Sequence, residues 1–151
     1  MSFSIGVCAI IFDECDCVLL SHRRDLELWN LPGGGVESSE LPTEAVVRET
    51  REETGLDVVA ERLVGVYGKQ DKDELVFAFT CRVVGGQLSA TDEVDESGYF
   101  RVNAIPFNTS PKQIARIHDA LGGDLQPVFR LQAGLSSREW VQNLRGSGKD
   151  V

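Results

Sequence analysis

The feature that most constrains this chain is a run of three glycines, Gly33 to Gly35, followed after a short polar stretch by a helix-like segment rich in glutamate. Pro42 suits the first helical position, where its missing N–H costs nothing. Glu44 adds negative charge to that turn and Gly55 is a natural stop. The pattern predicts a helix over 42–54, although Leu41 stands where Ser, Thr or Asp would cap better. On that helix Glu49, Glu52 and Glu53 fall at i, i+3 and i+4, so their carboxylates share one face. Like charges at such spacing repel, by roughly 0.2–0.5 kcal/mol per pair. Mg²⁺ and Mn²⁺ prefer carboxylate, carbonyl and water oxygens and reverse that repulsion. A glycine loop beside the helix lets the backbone come close and could add a bare carbonyl as a further ligand. For the helix alone a solvated acidic face is the competing reading, with Arg48 and Arg51 offsetting charge and Arg48–Glu52 at i, i+4 spacing.

The segments around this unit set the fold class. Phe3 to Phe12 is short, apolar and β-branched, so it is expected to be a strand, with Cys17 to Ser21 returning as a hairpin after a polar turn. Asn30 to Ser39 is expected as a loop. Strands are predicted at Val58 to Tyr67, Glu74 to Val84 and Tyr99 to Val102, with an acidic loop from Thr91 to Glu96 before the last of them. In the second of these strands, Leu75, Phe77, Phe79 and Cys81 alternate as core. A second helix is expected over Pro111 to Leu121, where Ile114, Ile117 and Leu121 have helical spacing. A further strand at Val128 to Leu131 and a helix at Ser136 to Leu144 complete the chain. This is the pattern of a single α/β or α+β layered domain over 1–144, with 145–151 as a frayed, disordered tail.

Composition excludes several classes. At 151 residues, 42% of them hydrophobic, the chain can bury one domain's core, and global disorder is excluded. No run approaches the roughly 18 apolar residues of a membrane span. The first ten residues lack a basic, cleavable secretion signal, so a cytoplasmic location is expected. The net charge of −9 argues against a nucleic-acid polymer as partner. An acidic chain can still meet phosphates if metal cations bridge the repulsion. Cys8, Cys15, Cys17 and Cys81 lack paired zinc spacing and read as reduced thiols, with Cys8 and Cys81 packed as small hydrophobes. His22 and His118 have no visible partner in the sequence.

The stretch from Gly34 through Glu40, Arg48-Glu49, Thr50, Arg51, Glu52-Glu53, Thr54, Gly55 and Leu56 resembles the signature of the Nudix hydrolases, with Trp29-Asn30-Leu31-Pro32 ahead of it also typical. The departures are Thr50, where a larger aliphatic is usual, and Ser39, where glycine is common. The resemblance implies a Nudix fold, a mixed β-sheet sandwiched between helices. It also implies Mg²⁺-dependent cleavage of the pyrophosphate linkage in a nucleoside di- or triphosphate derivative by metal-activated water, Mn²⁺ being an alternative ion. A Nudix-fold module that binds a nucleotide without cutting it is the second reading. By matching positions, Glu49, Glu52 and Glu53 would hold the cations with the Gly33 carbonyl, and Glu40 would pair with Arg48 to fix the loop against the helix. The general base would be Glu96 or Glu93 from the acidic segment, or Glu52 of the helix. Arg23 and Arg24 stand where substrate phosphate could be met, or are ordinary surface arginines. Trp29 borders the base or packs at the loop entrance. The family includes dimers, and a homodimer is compatible with this chain.

Overall fold

Strand β1 (Ser4–Ile10) is buried on both faces over its last four residues: Val7 and Ala9 enter one core cluster, Cys8 and Ile10 another. A strand covered on both sides belongs inside a sheet, and the computed structural model, which describes residues 2–146, places it there. The remaining elements are β2 (Val18–Arg23), β3 (Leu28–Asn30), β4 (Gly33–Gly35), α1 (Pro42–Thr54), β5 (Leu56–Lys69), β6 (Glu74–Gly86), β7 (Val94–Phe100), a 3₁₀ turn (Val102–Ala104), α2 (Pro111–Leu121), β8 (Val128–Gln132) and α3 (Ser137–Gly146). A five-stranded sheet runs β4-β1-β6-β5-β8, parallel for β1–β6 and β5–β8 and antiparallel elsewhere. A three-stranded antiparallel sheet runs β3-β2-β7.

Helices cover the five-stranded sheet from both sides. Ala45 and Val46 of α1 pack with Val7, Ala9, Leu56 and Phe79, while Ile117 and Ala120 of α2 pack with Cys8, Ile10 and Val76. This is the α/β fold with a mixed sheet between helices. Helix α1 starts despite Leu41 because the Leu41 N–H donates to Glu44 Oε1 at 3.0 Å, which satisfies one orphan amide from the acidic side chain. It ends at Gly55, whose φ of +83° only glycine adopts readily, with its N–H on the Arg51 carbonyl. Cys8 and Cys81 are buried free thiols. Among the described residues no helix is long and apolar enough to cross a membrane.

Five local expectations are corrected. β1 and β2 do not pair along their length: the hairpin is confined to its turn, where the antiparallel Phe12–Val18 bridge, the Leu19 N–H to Ile11 carbonyl bond and the Asp13 N–H to Cys17 carbonyl bond close it, and the two strands then enter different sheets. Both strands carry buried residues in succession, so each needs its own layers rather than the other as a partner. The expected loop contains one short strand, β4, because β1 recruits Gly33 to Gly35 as its outer neighbour. The acidic loop ends earlier than expected, at Val94, whose buried side chain starts β7, while Phe100 ends it. In α2, Arg116 is buried and Leu121 is 42% exposed, against the expected apolar stripe. Helix α3 runs to Gly146, and the rest of the expected tail lies outside the described residues.

Candidate active site

The glycines of β4 have three different surroundings. Gly33 lies against β1 so closely that a Cβ would fall 2.2 Å from the Val7 carbonyl oxygen. A Cβ on Gly34 would sit 2.4 Å from the carboxyl carbon of Glu49, whereas one on Gly35 would meet nothing within 4 Å. Ala9 N–H bonds to the Pro32 carbonyl and Val36 N–H to that of Ile5, so antiparallel alternation turns the polar groups of Gly33 away from β1, to the open edge. There the Gly33 N–H donates to Glu53 Oε1 at 3.1 Å, and its carbonyl shares that edge.

Helix α1 brings the glutamates to this edge. Together with Gly33 and Gly34, Glu49, Glu52 and Glu53 line a cavity of about 560 Å³. Arg48 organises its rim. Its Nε and Nη2 donate to the two oxygens of Glu40 at 2.8 and 2.9 Å, Nη2 also reaches the Gly35 carbonyl, and Nη1 reaches Glu49 and Glu52. The forked bond from Arg48 holds the Glu40 carboxyl down at about 2, helped by the Glu37 N–H. Thus Arg48 does pair with Glu52, as on a solvated face, but through a guanidinium fixed by Glu40. Glu53 differs: it is 7% exposed, and burial pushes its carboxyl up to about 8, against the pull of the Gly33 N–H and with Glu49 and Glu93 adding to the rise. Burial likewise raises Glu49, with Glu52 and Glu93 contributing against Arg48.

Among the described residues no three acidic, His or Cys side chains enclose an ion as they stand, since Glu53 is turned to Gly33 and Glu49 to Arg48. The donor set nonetheless fits a hard cation: three carboxylates and an edge carbonyl face one cavity, and hard divalent ions prefer such oxygen ligands. The two departures from the signature are also accommodated. Thr50 is fully buried with its hydroxyl on the Val46 carbonyl at 2.7 Å. Ser39 adopts φ of +65°, the left-handed conformation that explains why glycine is common there.

The opposite wall comes from β2 and the start of β7. Arg23, Arg24 and Glu93 line the cavity. Arg23 is forked onto Asp25, and Arg24 is tied by its backbone N–H to the Glu93 carbonyl and by Nε to that of Thr91. Glu96 is exposed on β7 and does not line the cavity, and neither does Trp29, which packs edge-on against Phe100 and His22. His22 is partnered, with Nδ1 2.7 Å from Asp95 Oδ1. Residues that the sequence reading passed over are Asn30 and Leu31, which line the cavity between Trp29 and the glycines. The clue to them was their position in the Trp-Asn-Leu-Pro run.

The NUDIX domain family model matches residues 2–121. A Bacillus subtilis (strain 168) protein, provisionally named an 8-oxo-dGTP diphosphatase, is 34% identical over 126 residues, covering 80% of this chain and 82% of that one. The ADP-ribose pyrophosphatase of Methanocaldococcus jannaschii is 44% identical over 103 residues, 64% of this chain and 61% of that one. Among solved structures, an ADP-ribose pyrophosphatase from Streptococcus suis 89-1591 superposes with a TM-score of 0.72 at 28% identity, over 87% of this chain and all of that one. The match thus takes in every element up to the end of α2, including both walls of the cavity, and on this ground the chain belongs to the Nudix family of pyrophosphohydrolases.

Proposed function

We propose that this protein is a Mg²⁺-dependent hydrolase that cuts the pyrophosphate linkage of a nucleoside di- or triphosphate derivative. The observation that carries the proposal is the cavity that Glu49, Glu52 and the buried Glu53 line together with Gly33, and that Arg23 and Arg24 also line. Relatives named for ADP-ribose and 8-oxo-dGTP agree with the substrate class. Glu49, Glu52 and Glu53, with the Gly33 carbonyl, would hold the divalent cation. When bound, such an ion neutralises the diphosphate and lowers the pKa of the attacking water.

The chain's own groups do the rest. Arg48, fixed by Glu40, holds Glu49 and Glu52 at the rim and Gly34 leaves room for the Glu49 carboxylate. Arg24, anchored to the Thr91 carbonyl, meets a phosphate oxygen, with Arg23 beside it. Glu93 faces the carboxylates across the cavity and takes the proton from water; Glu52 is the alternative acceptor. Buried Val94 and Leu31 limit solvent access. The test is incubation of wild type and Glu53→Gln with Mg²⁺ and a nucleotide panel, with products identified by mass spectrometry. Cleavage within a pyrophosphate by the wild type, lost in the variant, is expected. Ligands recovered whole would instead leave a binding module.

A further inference from the structure

At the far end of the five-stranded sheet from β4, strand β8 pairs with β5, and among the described residues no strand pairs with its other side. The Gln70 N–H donates to the Gln132 carbonyl, so Gln132, Arg130 and Val128 turn their backbone groups to β5. Alternation leaves the N–H and C=O groups of Phe129 and Leu131 on the open edge. The same two residues are 77% and 70% exposed. Their side chains stand on the α1 face of the sheet, since Arg130 and Gln132 bond to Asp119 and Arg116 of α2 on the other. There they extend an apolar row. The register sets Phe129 beside Val66 and Phe77, and Leu131 meets Leu75 over Gly68, where an added Cβ would lie 3.4 and 3.8 Å from their methyl carbons. Helix α1 covers a different part of that face, around Val7, Ala9 and Phe79.

Native edge strands are commonly blunted by a charge, a bulge or a proline. Strand β8 follows β5 without a register shift, and its single charge, Arg130, is forked onto Asp119 with both bonds at 2.9 Å. Such an edge fits a second copy of itself. An antiparallel partner centred on Arg130 sets Phe129 opposite Leu131 of the partner subunit, and Leu131 opposite Phe129 of the partner subunit. The outward N–H and C=O groups of both residues then meet their counterparts in hydrogen-bonded pairs, and four apolar side chains gather on the α1 face. Arg130 lies opposite its own copy, where two bare like charges would repel. Each brings its Asp119 carboxylate instead, so two matched ion pairs stand side by side. We infer that β8 is the edge through which two copies of this chain associate, joining their sheets into one about a two-fold axis. Five-residue strands and four apolar side chains make a small interface, at the weak end of a range that begins near roughly 1,200 Å², so the dimer is reversible and concentration-dependent. The cavity lies at the opposite edge of the sheet, and the inference is independent of the reaction proposed above.

Sedimentation velocity of the full chain from micromolar to submillimolar concentration reads the association, and a monomer–dimer equilibrium is expected. Phe129→Glu should weaken it by at least about tenfold, while Phe107→Glu, at an exposed phenylalanine outside the strands, should leave it unchanged. Far-UV circular dichroism checks that both variants are folded. An introduced thiol reads the register in a Cys15→Ser, Cys17→Ser background oxidised with copper–phenanthroline. Arg130→Cys would face its own copy at a Cα separation of about 4.5 Å, within disulfide reach, whereas Leu131→Cys would face residue 129 and lie too far from its own copy. A covalent dimer is expected from the first and not from the second. A monomer at every concentration, a dimer unmoved by Phe129→Glu or abolished by Phe107→Glu, no cross-link through Arg130→Cys, or one through Leu131→Cys would overturn the inference.

Discussion

One methyl group added at each of the three glycines of β4 should give three different outcomes. At Gly33 the new Cβ would lie 2.2 Å from the Val7 carbonyl oxygen and 2.9 Å from the Cys8 Cα, both backbone atoms of the central strand β1. Neither can yield without distorting the sheet, so Gly33→Ala should cost about 3 kcal/mol of stability. At Gly34 the Cβ would meet the Glu49 carboxyl carbon at 2.4 Å, where ordinary contact begins near 3.4 Å, so the carboxylate must withdraw by about 1 Å. That carboxylate ends a flexible side chain, and an alanine also stiffens the unfolded chain by about 0.4–1 kcal/mol, so Gly34→Ala should fold nearly as well as wild type. Its kcat should nonetheless fall by about 10²-fold, the usual penalty for misplacing a reacting or ligating group by 1 Å. Gly35→Ala, with open space around it, should leave both properties within about twofold or about 1 kcal/mol. Urea unfolding and steady-state kinetics on the three variants give the answer. A Gly34→Ala enzyme with wild-type kcat, or one as unstable as Gly33→Ala, would refute the argument that Gly34 exists to make room for Glu49.

Three further outcomes follow from the same geometry. Glu93→Gln should lower kcat by about 10²-fold or more as the lost general base, and Glu96→Gln, altered outside the cavity, by less than about threefold; pH–rate profiles of both variants check it. The Glu40 carboxyl is depressed to about 2 in the fold, so its contribution is present above the ordinary carboxylate value near 4.5 and fades as pH falls through 2. Glu40→Gln should therefore lose stability relative to wild type at pH 7 and converge with it near pH 2, read from urea midpoints across that range. Thr50→Val removes a buried hydroxyl that bonds to a carbonyl of its own helix, and should change stability by less than about 1 kcal/mol in thermal unfolding without changing kcat.

What the sequence disclosed was mostly local. Pro42, Glu44 and Gly55 bound α1 at the residues the chain itself marks, and the three glutamates reach one cavity because helical spacing leaves them no other face. Gly33 to Gly35 looked like a loop since glycine has no side chain with which to declare a strand; their pairing is imposed by β1, a neighbour distant in sequence. Asp95 and Glu96 disguised the start of β7 in the same way, because that strand is half exposed and only Val94 is buried. The short hairpin at Asp13 to Cys17 shows a limit of adjacency. Asp13 accepts the N–H groups of Cys15 and Cys17 and makes the turn, yet the strands on either side separate into two sheets. Arg116 carried no local signal, since its place in the core comes from Gln132, Cys8 and Tyr67, which three separate strands deliver.

The most direct test of the central claim is crystallographic: soak the protein in millimolar Mn²⁺ and collect anomalous scattering data. Strong peaks are expected roughly 2.0–2.3 Å from oxygens of Glu49, Glu52 and Glu53 and near the Gly33 carbonyl, with the Glu53 carboxylate swung off the Gly33 N–H. An empty cavity at saturating Mn²⁺, with Glu53 still bonded to Gly33, would contradict the reading of these carboxylates as a cation site.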